Sequence, residues 1–190
     1  LYTGMIGMHG TKVANFGIHQ ADVVVVIGAR FSDRVVGNAK KFVPKAKIVQ
    51  IDIDKAEINK NIMIDQPVIG DVKEVLVRLL PLINERPADE WNKDIEELKA
   101  KYPLTYDQSG LTGPYVVEEI YRATKGEAII STDVGQHQMW AIQHFKFDYP
   151  GQLITSGGFG TMGFGLGAAI GAQAGNTEKT VLHVTGDGSF

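Results

Sequence analysis

The sequence ends in a carboxylate between two glycines, directly after an apolar run over residues 180–185; the motif is Gly186, Asp187, Gly188, Ser189 and Phe190. Such a run predicts a buried parallel strand, and open α/β sheets bind ligands at the carboxyl edge of their strands. Glycines let the backbone approach a phosphate, and one carboxylate suits Mg²⁺, which also takes ligand phosphates. The motif predicts the beginning of a metal–diphosphate site, for which we expect further ligands outside this chain.

A second candidate is the glycine-rich segment, residues 157–165. Its glycines let backbone atoms contact a ligand ring, and Met162 offers a soft apolar support in the same segment. Gly163, Gly167 and Gly171 recur every four residues. That spacing indicates the closely packed face of a helix, and we interpret it as structural.

A third candidate follows residues 127–132, a run typical of a strand that leads to Asp133. The helix expected over residues 136–144 begins with Gln136 and His137. His137 can donate a hydrogen bond to a phosphate or to a reacting substrate. Taken alone, this stretch is equally typical of an ordinary helix start.

The first half of the chain has its own strand ends. An apolar run over residues 21–28 is followed by Arg30 and Arg34, which can clamp a diphosphate or stack on a flat ring, although either can also pair with surface acids. Asp52 ends the next strand, where an acid can accept from a ribose hydroxyl. No Gly-x-Gly-x-x-Gly follows the first strand. The set indicates a nucleotide cofactor, and His9 is either part of it or a plain loop histidine.

The elements that position these residues alternate along the chain. We expect strands over residues 21–28, 47–54, 67–71, 127–132, 154–156 and 180–185, and helices over residues 72–84, 89–101, from 113, 136–144 and 162–174. This alternation predicts an α/β fold with parallel sheets, and the continuous apolar run over residues 21–28 predicts a strand covered on both faces.

Composition excludes several classes of protein. The net charge of −3 over 190 residues gives no electrostatic footprint for nucleic acid or an anionic membrane, and no apolar run is long enough for a membrane span. The absence of cysteine removes disulfides, thiol nucleophiles and cysteine–zinc sites, which is compatible with the cytoplasm. The first residue is not Met, and we expect the chain to be a piece of a longer polypeptide.

Taken in order, these motifs resemble the FAD-containing acetolactate synthases (acetohydroxyacid synthases), within the thiamine-diphosphate enzyme superfamily. The resemblance is carried by residues 7–10, 28–34, 52–54, 70–72, 136–140, 156–165 and 186–190. It departs from the family at Ser32, where an acid is common, and at Gly167, where proline is usual. Neither change removes a charged cofactor ligand.

The resemblance implies three ranges: residues 1–85 as most of a Rossmann-like central FAD-binding domain, 86–109 as a linker, and 110–190 as the first part of a thiamine-diphosphate-binding domain. It also implies which residues bind each cofactor. FAD would be lined by Ile6, Gly7, Met8, His9, Gly28, Ala29, Arg30, Phe31, Ser32, Asp33, Arg34, Asp52, Ile53, Asp71 and Val72, with Gly157 and Gly158 approaching the flavin. Thiamine diphosphate would be contacted by Gln136, His137, Gly160, Thr161, Met162, Gly188 and Ser189, with Asp187 on Mg²⁺.

The implied reaction is decarboxylation of pyruvate and carboligation to a second 2-ketoacid, which gives 2-acetolactate or 2-aceto-2-hydroxybutyrate in branched-chain amino-acid biosynthesis. The family's activating glutamate lies in an amino-terminal domain, so we expect no catalytic residue in this chain and an inactive isolated fragment. The implied assembly is a cytoplasmic homodimer or homotetramer with a small regulatory subunit. The alternatives are another thiamine-diphosphate carboligase or decarboxylase, and a non-catalytic nucleotide-binding module.

Overall fold

The protein is described from a computed structural model, which covers residues 2–85 and 87–190. It divides into two compact units, Leu1–Leu104 and Thr105–Phe190. Each unit has its own three-stranded parallel sheet, which confirms the predicted α/β class. Residues 1 and 86, which open the first two expected ranges, lie outside the described residues.

The first unit has strands in the order β1-β2-β3. The strands are β1 Val23–Ile27, β2 Lys47–Asp52 and β3 Gln66–Ile69, and the helices are α1 Lys12–Gln20, α2 Asp33–Val36, α3 Val72–Leu79 and α4 Asp89–Lys101. Short 3-10 helices span Ala39–Lys41, Lys55–Glu57 and Leu80–Leu82. Its core is built around Val24, Phe31, Val43, Ile48 and Ile62.

The second unit has strands in the order β5-β4-β6. The strands are β4 Ile129–Thr132, β5 Leu153–Thr155 and β6 Val181–Val184, and the helices are α5 Gly113–Ala123, α6 Gln136–His144 and α7 Phe164–Gly175. Its core is built by Val117, Ala128, Ile130, Ala141 and Phe145. The central strand β4 is buried at all four positions.

Three local expectations are wrong. Gly163, Gly167 and Gly171 do not form a closely packed helix face, because a Cβ at any of these positions would meet nothing within 4 Å. The strand β1 is covered on one face only: Val24 is 8% exposed, whereas Val23 and Val25 are each 52% exposed. The helix expected over residues 72–84 ends at Leu79 and continues as a 3-10 turn. Pro81 explains the early end, because it has no N–H to donate to the carbonyl four residues before it.

The charged helix α4, which falls in the expected linker, packs against α1 inside the first unit. Ile95 is 4% exposed and reaches the surface of Gly17, and the rings of Phe16 and Tyr102 lie 5.0 Å apart. The three domain ranges stay predictions. Within residues 2–85 and 87–190, no helix has the length and apolar character to cross a membrane.

Candidate functional site

The carboxyl edge of the second sheet gathers three loops. Strands β4, β5 and β6 are parallel, with Thr132 in register with both Thr155 and Val184. The segments that follow them therefore emerge at the same edge: residues 133–135, the glycine-rich segment and residues 185–190. This is the edge at which open α/β sheets bind ligands.

Asp133, the first residue after β4, organises this edge. Its side chain is fully buried, and its Oδ1 accepts hydrogen bonds from the N–H groups of Val134 and Gly163, both at 2.9 Å. Its Oδ2 accepts from the N–H of Gly165, also at 2.9 Å. Burial raises the pKa of Asp133, but these N–H groups outweigh it and hold the pKa below its ordinary value. Asp133 is therefore a buried carboxylate, ionised at neutral pH.

The glycine-rich segment is held in a defined path. Gly160 and Gly163 have φ values of +67° and +89°, which favour glycine. The backbone carbonyl of Ser156 accepts a hydrogen bond from the N–H of Gly160, and the hydroxyl of Ser156 accepts one from the N–H of Thr161, both at 3.0 Å. Met162 is 57% exposed between these anchors, and its Cε lies 3.5 Å from where a Cβ on Gly188 would stand. The segment therefore lies against residues 186–190, with Gly157 and Gly158 exposed after β5.

His137 lies at the second position of α6 and faces the same edge. Its ring comes within 3.2 Å of where a Cβ on Gly186 would stand. Burial lowers the pKa of His137, and the nearby His183 on β6 lowers it further. The negative charge of Asp133 and a hydrogen bond to the backbone carbonyl of Asp133 raise the pKa, but they do not outweigh burial. His137 is therefore neutral at neutral pH. Gln136 beside it is exposed.

Nε2 of His137 is buried at this edge and has no hydrogen-bond partner among the described residues. Leaving such an atom unpaired is costly, which indicates that a ligand or solvent satisfies it. The hydroxyl of Ser189 is buried at the same edge, where it interacts with the carboxylate of Asp133. Imidazole and hydroxyl groups beside exposed Asp187 and Gly188 suit a diphosphate with its cation. The residues present fit thiamine diphosphate with Mg²⁺. No group of three or more His, Asp or Glu side chains in the described part of the chain could hold a metal without such a ligand.

The first sheet also collects predicted residues at its carboxyl edge. Gly28 donates its N–H to Ile51 at 2.9 Å, and Gly70 donates to the carbonyl of Asp52 at 3.0 Å. A Cβ on Gly28 would meet nothing within 4 Å, so the edge is open there. Asp71 caps α3 by accepting from the N–H groups of Lys73 and Glu74 at 2.9 and 3.2 Å. Ile53 and Val72 are exposed beside these positions.

Residues 6–9 lie against the segment that carries the two arginines. Met8 donates its N–H to the carbonyl of Arg34 at 2.8 Å, and a side chain on Gly7 would collide with the backbone of Arg34. Two hydrogen bonds with the side chain of Asn15 on α1 fix the backbone of Gly7. The Asn15 side-chain oxygen accepts from the N–H of Gly7 at 2.7 Å, and the Asn15 side-chain NH₂ donates to the carbonyl of Gly7 at 3.0 Å. Exposed guanidinium groups at Arg30 and Arg34 fit the anionic diphosphate of FAD.

Not every predicted flavin residue reaches this surface. Phe31 is 6% exposed and packs in the core with its ring 5.8 Å from that of Phe42, and its carbonyl accepts from Asn61 at 2.8 Å. Other members of the set are at or near the surface: Ile6, Met8, His9, Ala29, Ser32 and Asp33. Phe31 is therefore a core residue.

Three side chains that organise these edges were not among the predicted site residues: Asp133, Asn15 and Gln138. Gln138 is 5% exposed and donates to Thr155 at 2.7 Å, which ties α6 to β5. Only Asp133 carried a usable signal, because it directly follows a buried strand. The partners of Asn15 and Gln138 depend on tertiary contacts that the sequence does not display.

Both units match models of one family of proteins. Residues 1–79 match the thiamine pyrophosphate enzyme, central domain, and residues 133–190 match the thiamine pyrophosphate enzyme, C-terminal TPP binding domain. The chain belongs to the thiamine pyrophosphate enzymes.

Particular relatives match along nearly the whole chain. It is 46% identical over 197 residues to the acetolactate synthase large subunit of Haemophilus influenzae, covering 100% of this chain and 34% of the relative. It is 45% identical to the acetolactate synthase isozyme 3 large subunit of Escherichia coli, covering 98% and 34%, and 43% identical to acetolactate synthase 1, chloroplastic, of Nicotiana tabacum, covering 100% and 30%. The chain spans about a third of the length of these curated relatives.

Proposed function

We propose that this chain is part of the catalytic large subunit of an acetolactate synthase. The observation that carries the proposal is the identity of 41–46% to acetolactate synthases over nearly the whole chain. The proposed reaction is decarboxylation of pyruvate and carboligation to a second 2-ketoacid, in branched-chain amino-acid biosynthesis. We propose residues 1–85 as the FAD-binding domain and 110–190 as the thiamine-diphosphate-binding domain, with residues 86–109 between them.

The second unit contributes the thiamine-diphosphate surface in this proposal. When bound, thiamine diphosphate supplies the nucleophilic carbon for chemistry on 2-ketoacids. His137 and Ser189 hold the diphosphate, His137 through its buried Nε2, which has no partner in the described part of the chain. Asp187 binds Mg²⁺, Met162 supports the cofactor ring, and Gln136, Gly160, Thr161 and Gly188 line it.

The first unit contributes the flavin surface. Arg30 and Arg34 face the diphosphate of FAD, and Asp52 accepts from a ribose hydroxyl. The open space at Gly28 and the fixed turn at Gly7 support this assignment. Gly157 and Gly158, from the second unit, are proposed to contact the flavin.

The complete enzyme is proposed to work as a cytoplasmic homodimer or homotetramer with a small regulatory subunit. Two of these relatives are named as large subunits, which supports a second kind of subunit. The 190-residue chain is proposed to be inactive alone, because the glutamate that activates the cofactor in this family belongs to a domain outside it.

Cofactor omission tests the proposal. The full-length polypeptide that contains this sequence is purified, depleted of cofactors and assayed for acetolactate formation from pyruvate. Acetolactate should form only when thiamine diphosphate, Mg²⁺ and FAD are all returned, and the 190-residue chain should form none. Flavin-independent activity would favour another thiamine-diphosphate carboligase or decarboxylase, and FAD binding without any turnover by the full-length protein would favour a nucleotide-binding module.

A further inference from the structure

Asp133 joins segments that are distant in sequence. It is bonded to Gly163 and Gly165, which lie 30 and 32 positions further along the chain. Its own backbone N–H donates to the carbonyl of Val184 at 3.0 Å, at the end of β6. The end of β4, the glycine-rich segment and the last strand therefore meet at this one buried residue.

The carboxylate also replaces a missing helix cap. The N-cap of α7 is Gly163, which has no side chain to accept the first free N–H groups of the helix. Asp133 accepts the N–H groups of Gly163 and Gly165 from outside the helix. A negative charge is favourable at a helix N-terminus, so the interaction fixes where α7 begins.

These bonds bracket Met162. On one side, Thr161 donates its N–H to the hydroxyl of Ser156; on the other, Gly163 donates to Asp133. Met162 itself is exposed and adjoins Gly188. The direction of its side chain therefore depends on two anchors, and Asp133 is the charged one.

We propose that Asp133 is a positioning residue for the cofactor: its carboxylate holds the glycine-rich segment so that Met162 stays beside Gly188. The statement rests on the proposed function, because Met162 matters only if thiamine diphosphate binds there. Asp133 acts through the backbone of Gly163 and Gly165 and does not contact the cofactor.

The substitution Asp133→Asn separates this role from simple packing. Asparagine has nearly the same shape but no charge. Its NH₂ group is a donor, so it cannot accept the backbone N–H that one carboxylate oxygen of Asp133 accepts. Thr132→Val is the matched control. Thr132 is equally buried, and its hydroxyl is 2.7 Å from that of Thr155 on β5.

Two measurements are compared across the variants. In the full-length protein that contains this sequence, amide hydrogen exchange at Gly163 and Gly165 should accelerate about tenfold or more in D133N and by less than about twofold in T132V, as expected from losing charge-assisted bonds. In the full-length protein, the concentration of thiamine diphosphate that gives half-saturation should rise about tenfold in D133N, with a smaller change in kcat at saturating cofactor. Asp133→Glu, which keeps the charge, should recover part of this loss.

Equal effects of D133N and T132V on exchange or on half-saturation would overturn the role of Asp133. Faster exchange in D133N with an unchanged half-saturating concentration of thiamine diphosphate would overturn it too. Loosening the glycine-rich segment would then have no effect on cofactor binding. A wild-type protein that does not respond to thiamine diphosphate would overturn the proposed function and this inference together. The wild-type result therefore distinguishes the two failures.

Discussion

Gly165 donates its backbone N–H to Oδ2 of Asp133 at 2.9 Å, across 32 positions of sequence. The contact leaves no room for a side chain at residue 165, where a Cβ would stand 2.8 Å from the backbone N of Asp133. The close approach of α7 to β4 and the ionised state of the buried carboxylate therefore depend on the same glycine.

This close approach predicts opposite effects for two glycines of α7. Gly165→Ala should destabilise the chain by about 1–3 kcal/mol, because the methyl group collides with rigid backbone. Gly167→Ala should stabilise it by about 0.5–1 kcal/mol, since a Cβ there meets nothing within 4 Å and alanine is the better helix former. Denaturant unfolding measures both, and equal shifts of the two midpoints would contradict the packing described.

Acidification should release the anchor at Asp133. Because folding lowers the pKa of Asp133, its ionised form stabilises the folded chain above the ordinary pKa of 3.8, and the contribution is lost as the pH falls through the lower folded value. The stability difference between the wild type and D133N should therefore be constant near neutral pH and shrink below about pH 4. Thermal unfolding across this range measures it, and a difference that grows on acidification would contradict the assignment.

The flavin surface gives a third prediction. Arg30→Ala with Arg34→Ala should weaken FAD binding by the full-length protein at least about tenfold, because two charge-assisted contacts to a diphosphate are lost. Flavin fluorescence quenching measures the affinity. Lys45→Ala, which removes another exposed cation of the first unit, is the control. Equal weakening by the control would indicate a nonspecific charge effect instead.

The sequence predicted most elements because their signals are local. The apolar runs gave all six strands within one to two residues, and α4 and α6 have the predicted bounds, Asp89–Lys101 and Gln136–His144. The helix over residues 72–84 was predicted too long because its apolar periodicity outweighed the effect of Pro81. Phe31 lies in a loop motif that suggests a ligand contact, yet its size and apolar character place it in the core.

The candidate site was less accessible to prediction. The sequence identified the three segments at the second sheet's edge, but not the residue that joins them. A carboxylate that accepts N–H groups 30 positions away leaves no local pattern, and the unpaired Nε2 of His137 is visible only once burial is known.

The most direct test of the central claim is the identity of the product made by the full-length protein. Pyruvate is supplied alone and then with 2-ketobutyrate, in the presence of thiamine diphosphate, Mg²⁺ and FAD, and the products are identified by NMR spectroscopy. The account predicts 2-acetolactate in the first case and 2-aceto-2-hydroxybutyrate in addition in the second. Release of acetaldehyde without either carboligation product would contradict it.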